Sequence, residues 1–143
     1  GNALNDAQRA RDLLQRAMEA HERRDFAEAI RLAREAIAAD PAFPEAREYL
    51  GTTLVTRLRR FDEGIAELER GLALAPDSAS MLYALGWCCE FAANALRRDP
   101  GRRDQAERLY ERAAAYLRRC LEQNPEGKLR EDAEDLLAIV EAR

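Results

Sequence analysis

The sequence predicts an all-α fold built from antiparallel helix pairs, and three observations predict it. Capping residues followed by apolar stripes of helical spacing recur along the whole chain. Proline-bearing breaks punctuate them at regular intervals, at Asp40-Pro41, Pro44, Pro76, Asp99-Pro100-Gly101 and Pro125. The composition, 47% hydrophobic and 35% charged with only 7 Gly and 5 Pro in 143 residues, suits amphipathic helices around one continuous core and suits neither a β-meander nor a disordered tract.

The elements follow in order. Asn5 with Gln8 reads as a capping box opening a first helix, whose stripe of Leu13, Leu14, Ala17 and Ala20 runs to about Arg23. Asp25 with Glu28 caps a second, with Phe26, Ala29, Ile30, Ala33, Ala36 and Ile37 on one side. It stops at Asp40-Pro41, because the residue before a proline is pushed out of helical geometry. A second hairpin begins after Pro44, carrying Tyr49, Leu50, Leu54 and Leu58, then Phe61, Ile65, Leu68 and Leu72. A third starts near Ser78 with Leu82, Leu85, Cys89 and Ala92, turns at Asp99-Pro100-Gly101, and returns through Ala106, Leu109, Ala113, Leu117, Cys120 and Leu121. A seventh helix, with Leu129, Ala133, Leu136, Leu137 and Val140 on one stripe, has the polar outer face of a terminal cap.

The hairpins repeat a pattern. Leu82-x2-Leu85-Gly86-x2-Cys89 and Arg47-x2-Leu50-Gly51-x2-Leu54, with Leu13-x2-Arg16-Ala17-x2-Ala20 as a weaker copy, resemble the first half of the tetratricopeptide repeat. The second halves, Ala29-x3-Ala33-x2-Ala36-x4-Pro41, Gly64-x3-Leu68-x2-Gly71-x4-Pro76 and Ala113-x3-Leu117-x2-Cys120-x4-Pro125, share one spacing. Two helices cross closely only where both are small, and Ala17 with Ala29, Gly51 with Gly64, and Gly86 with Ala113 supply those sites. The resemblance implies a single tetratricopeptide-like domain over 1-143, a right-handed superhelical stack of three antiparallel helix pairs. Its units cover about 7-41, 42-76 and an enlarged 77-125, and a capping helix covers about 126-142. The family's aromatic positions are filled instead by Leu13, Arg47 and Leu82 in the first helices and by Ala33, Leu68 and Leu117 in the second. From Pro76 to Pro125 is 49 residues against the family's usual spacing of about 34, so the third hairpin gains about two turns in each helix and should project.

Catalytic chemistry has little to draw on. His21 is the one histidine, and among Glu19, Glu22 and Arg24 it reads as a solvent-facing or groove residue rather than a base. Asp62-Glu63 and Glu131-Asp132 diverge on a helix and read as solvated faces. Cys88, Cys89 and Cys120 have no C-x-x-C spacing and read as reduced and mostly buried. No phosphate loop, nucleophile elbow or H-E-x-x-H is present, so no enzyme, no cofactor and no metal is expected. A net charge of -4 offers no general attraction to nucleic acid, and no apolar run reaches the roughly 18 residues of a membrane span. No signal-peptide pattern follows the Gly1-Asn2 start; a cytoplasmic setting is expected, with a leader, an anchor or further domains left open.

Arginine pairs recur where each hairpin turns: Arg23-Arg24, Arg59-Arg60, and Arg97-Arg98 with Arg102-Arg103. They complement the negative ends of helices, or they form a basic ridge for an acidic partner. Tyr83 and Trp87 lie off the face that carries Leu82, Leu85, Gly86 and Cys89, a stripe continued by Phe91. Two accounts of this stripe stay open: the cap helix or the enlarged hairpin folds over it, or it faces the concave groove that the resemblance implies. On the second account the partner-binding residues are Leu14, Met18, Thr52, Val55, Tyr83 and Trp87, and the protein is a scaffold or adaptor for a protein or peptide segment. The alternative use of that surface is a homo-oligomer. The family's clamp for acidic chaperone tails is not matched, since Leu14 and Met18 stand where it needs Lys and Asn, and Tyr49, Ser80 and Ala84 occupy the following positions.

Overall fold

The computed structural model describes residues 2–143, so Gly1 of the opening dipeptide lies outside the described residues. All regular structure in it is helical. The chain divides into two compact units, 1–74 and 75–143.

The N-terminal unit holds two hairpins: α1 (Ala3–Glu22) with α2 (Phe26–Ala39), and α3 (Pro44–Thr56) with α4 (Phe61–Leu74). The first cap differs from the expectation. Asn2, not Asn5, opens α1, its side chain accepting from the Asn5 amide at 2.9 Å, so the helix begins one turn earlier. Asp25 caps α2 as expected, accepting from the Glu28 amide, and Pro44 sits in the first turn of α3, where its missing N–H costs nothing. α1 and α2 are joined through Arg24 in the left-handed conformation (φ 63°), which lets the Arg24 amide reach the His21 carbonyl and the Asp25 amide that of Ala20. Arg59 repeats the left-handed turn (φ 56°) between α3 and α4.

The small-residue crossings are where the repeat places them. Ala17 and Ala29 are fully buried, and a Cβ on Gly51 would lie 2.7 Å from the Gly64 carbonyl oxygen, with the same distance in reverse. α2 packs on α3, closing a core of Leu13, Leu14, Ile30, Leu32, Leu50 and Leu54. Where the family has an aromatic, Arg47 of α3 is half-buried and bonds Glu67 of α4 at 3.0 Å, while Arg70 holds the other oxygen of that carboxylate at 2.7 Å.

The C-terminal unit pairs α5 (Ala79–Leu96) with α6 (Arg103–Glu122), joined by a short 3-10 turn at Pro100–Arg102, and lays α7 (Gly127–Glu141) mainly on α6. Ser78 caps α5 as expected. These paired helices have 18 and 20 residues against 13 and 14 in the second hairpin, so the enlargement is about one and a half turns in each, with the rest in the turn. The extension is a real pairing, since Ala92, Leu96, Ala106, Leu109 and Tyr110 are all buried along it. Tyr110 donates its hydroxyl to the Asn94 side-chain oxygen, and the Asn94 amide in turn reaches Glu90 at 2.6 Å. Residues 97–104 at the tip are exposed throughout. All three cysteines are buried, with the Cys120 thiol donating to the Ala79 carbonyl.

Candidate functional site

α5 buries more of its circumference than its periodicity implied. Besides Leu82, Leu85, Gly86 and Cys89, it encloses Met81, Ala84, Cys88, Ala92 and Ala93. What remains open is a single stripe at spacings of four, three and four residues: Tyr83, Trp87, Glu90 and Asn94, with Phe91 beside it. Its ends are held. At one end Asn94 is tied to Tyr110 of α6. At the other, Tyr83 is half-buried near α7. Burial pushes its hydroxyl above the ordinary phenol range, the Asp132 carboxylate adds to this, and Lys128 opposes it. Between them Trp87 stays 38% exposed. The cap helix therefore reaches Tyr83 and leaves Trp87 open.

In the N-terminal unit the expected groove residues separate into two classes. Met18 is 47% exposed, and Thr52 is half-buried with its hydroxyl donating back to the Glu48 carbonyl at 2.9 Å. Leu14 and Val55 are buried. Leu14 lies four residues after Ala10 and three before Ala17 in the core cluster, and Val55 is fully enclosed, filling the space opposite Gly64 that the missing Cβ leaves. The position immediately after the small crossing residue is the one that stays open, as Met18 after Ala17 and Trp87 after Gly86.

A cluster that sequence reasoning missed surrounds His21. Its Nδ1 is 2.8 Å from the Tyr49 hydroxyl, and its ring meets Phe26 and Tyr49 edge-on, with centroids 5.0 and 5.6 Å apart. Desolvation, then the Arg57 and Arg24 charges, lower its pKa below the ordinary imidazole value, with Glu22 acting the other way. A depressed pKa favours the neutral ring, which shares one hydrogen bond with the Tyr49 hydroxyl. Arg24 and Arg57 both stack on Phe26, at 5.6 and 5.2 Å, and Arg59 stacks on Phe61 at 5.5 Å. Arg24 and Arg59 are thus packed on the first aromatic of the following helix, whereas Arg57 at the end of α3 reaches back to α2.

A cleft of about 310 Å³ opens between α6 and α7, lined by Tyr110, Glu111, Arg118, Val140, Glu141 and Arg143. Arg118 bonds Glu141 across it, and Arg143 stacks on Tyr110 while bonding Glu107, so much of its charge is internally matched. Among the described residues no group of three or more His, Cys, Asp or Glu is arranged to hold a metal, and no helix is long and apolar enough to cross a membrane.

Residues 20–88 match the tetratricopeptide repeat family. No curated protein matches the sequence. Among solved structures, the fold is similar to the first tetratricopeptide domain of Spaghetti (RPAP3) bound to the HSP90 peptide SRMEEVD, with a TM-score of 0.73 at 19% identity over 95% of this chain and 93% of that one. It is also similar to the N-terminal domain of stress-induced protein-1 (STI-1) from C. elegans, with a TM-score of 0.62 at 17% identity over 95% and 98%. The chain thus has the tetratricopeptide repeat fold, with residues 20–88 carrying the family's sequence pattern.

Proposed function

We propose that the chain is a protein-interaction module, a scaffold or adaptor that grips a peptide or protein segment on the open stripe of α5. The observation that carries this is Trp87. A tryptophan with 38% of its surface in water, beside a half-buried tyrosine on a helix whose other faces are packed, has the composition of a binding hot spot. The helix pairs already bury their own core, so the stripe is not needed to close the fold. The Spaghetti (RPAP3) domain of the same fold holds an HSP90 peptide, which supports a peptide as the occupant.

The acidic chaperone tail is not the occupant this chain is built for. Leu14 is buried, Met18 is apolar, and the Tyr49 hydroxyl is engaged by His21. None of these supplies the cationic and amide donors that a terminal carboxylate requires.

Trp87 is the sole tryptophan, so its fluorescence reports on this stripe alone. The test is acrylamide quenching of Trp87 with and without peptides selected from a random displayed library. Bound peptide is expected to protect the indole. Peptides that bind without protecting it, together with a concentration-dependent dimer that does, would assign the stripe to self-association instead.

A further inference from the structure

The charge of α5 is one-sided. The chain carries 23 Lys+Arg, yet α5 has a single charged residue in 18, Glu90, and no base. Glu90 follows Trp87 by three residues and Tyr83 precedes it by four, so the three side chains are neighbours on one helix surface. The Glu90 carboxylate is half-buried and oriented by the Asn94 amide at 2.6 Å, a neutral donor that does not cancel its charge. At the Tyr83 end, burial and then the Asp132 carboxylate raise the pKa of the hydroxyl, while Lys128, itself ion-paired to Asp132, acts the other way, so the unmatched charge on this stripe is that of Glu90.

In the N-terminal unit, taken by itself, α3 carries Glu45 and Glu48 against one base. Burial pushes the Glu48 carboxyl above its usual range, and neighbouring Glu45 adds to the shift. The one base of α3, Arg47, is committed to Glu67 and to the Pro41 carbonyl. Of the other arginines in that unit, Arg31, Arg34 and Arg70 are in ion pairs, and Arg24 and Arg57 lie on the Phe26 ring.

From this juxtaposition we infer that Trp87 and Glu90, with Tyr83 beside them, take an arginine or lysine side chain of a basic peptide segment, the indole face and the carboxylate gripping one cation. The inference rests on the reading of the stripe as a peptide-binding surface. A cation within about 6 Å of an indole centroid is attracted by the ring's negative face, and tryptophan is the strongest of the aromatic side chains in this respect. A carboxylate on the same stripe adds charge complementarity and discriminates against acidic competitors. Both parts are already ordered, Glu90 by Asn94 and α5 by its packing on α6.

The experiment selects peptides from a random displayed library on the full chain, synthesises them, and titrates each against the wild type, Glu90→Gln and Trp87→Ala by calorimetry. Melting curves establish that both variants are folded. The enriched peptides are expected to be basic, and exchange of their Arg and Lys for Gln is expected to weaken binding about tenfold or more. Glu90→Gln keeps the acceptor for Asn94 and removes only the charge. It is expected to weaken the basic peptides about three- to fivefold and to leave their Gln versions unchanged. Enriched peptides that are neutral or acidic yet lose affinity for Trp87→Ala overturn the inference and leave the binding role of α5 standing. Basic peptides indifferent to Glu90→Gln overturn it too. No enrichment, or peptides indifferent to Trp87→Ala, overturn both.

Discussion

Replacing Gly51 by alanine tests the close crossing that defines the repeat. At an ordinary helix interior this change is favourable by about 1 kcal/mol, because alanine restricts the unfolded chain. Here the new Cβ would lie 2.7 Å from the Gly64 carbonyl oxygen and 2.6 Å from Leu68 Cγ. The oxygen belongs to backbone, so α3 and α4 must separate by several tenths of an ångström to accept it. Overpacking of this kind costs about 1–3 kcal/mol, and the upper part of that range applies where no side chain can swing away. The net expectation is a loss of about 1–2 kcal/mol, or a melting point lower by roughly 3–6 °C for a chain of this size. Gly86→Ala is the internal comparison. Its Cβ would strike only the Leu117 side chain, at 2.6 and 2.7 Å, and would stand 3.4 Å from the nearest backbone atom, the Ala113 oxygen. Leu117 can yield in part, so the propensity gain leaves a net loss of about 0–1 kcal/mol. Gly51→Ala with Gly64→Ala should cost less than the two singles together, since the first methyl opens the gap that the second occupies. Urea unfolding followed by circular dichroism gives all four values. A Gly51→Ala variant more stable than the wild type by about 1 kcal/mol, as at an exposed helix site, would refute the crossing.

Three further outcomes follow from the structure. Glu48→Gln should stabilise the fold at neutral pH, because a carboxyl whose folded pKa lies above its unfolded one favours the protonated state; the gain should shrink as the pH falls through the ordinary carboxylate range near about 4, and a pH-independent effect would contradict the assignment. Tyr110→Phe removes a buried hydroxyl and strands the Asn94 oxygen, so urea unfolding should show a loss of about 1–2 kcal/mol, with no change implying that water replaces the bond. Amide exchange over residues 97–104, exposed at the tip of the long hairpin, should be much faster than around Leu50 or Leu68, and equal protection would mean that another chain covers the tip.

Much of the fold was legible because it depends on local signals. Asp25 and Ser78 announce helix starts, Pro41 and Pro76 mark ends, and the paired small residues fix which faces meet. The opening cap was misplaced because Asn2 and Asn5 offer the same chemistry three residues apart, and the amide of Asn5 proved to be the donor to Asn2. Leu14 and Val55 stand at groove positions carried over from the family pattern, and both are buried. Val55 stands four residues after Gly51, on the crossing face, and the absent Cβ of Gly64 opens the space it fills. That spacing was available in the sequence. The His21–Tyr49 bond and the Arg47–Glu67 pair were not, because they join residues 28 and 20 apart whose meeting depends on how the helices dock.

Trp87 is tested most directly by one paired measurement on Trp87→Ala: its thermal stability, and its affinity for a peptide selected on the wild type. A residue 38% exposed on a stripe that the helix pairing does not use should be dispensable to folding, with a melting point within a few degrees of the wild type. Its loss should weaken the peptide at least about tenfold, corresponding to about 1.4 kcal/mol. A variant that loses the roughly 3–5 kcal/mol typical of a deleted core aromatic, or that binds the peptide as tightly as the wild type, would contradict the central claim that α5 presents a binding surface.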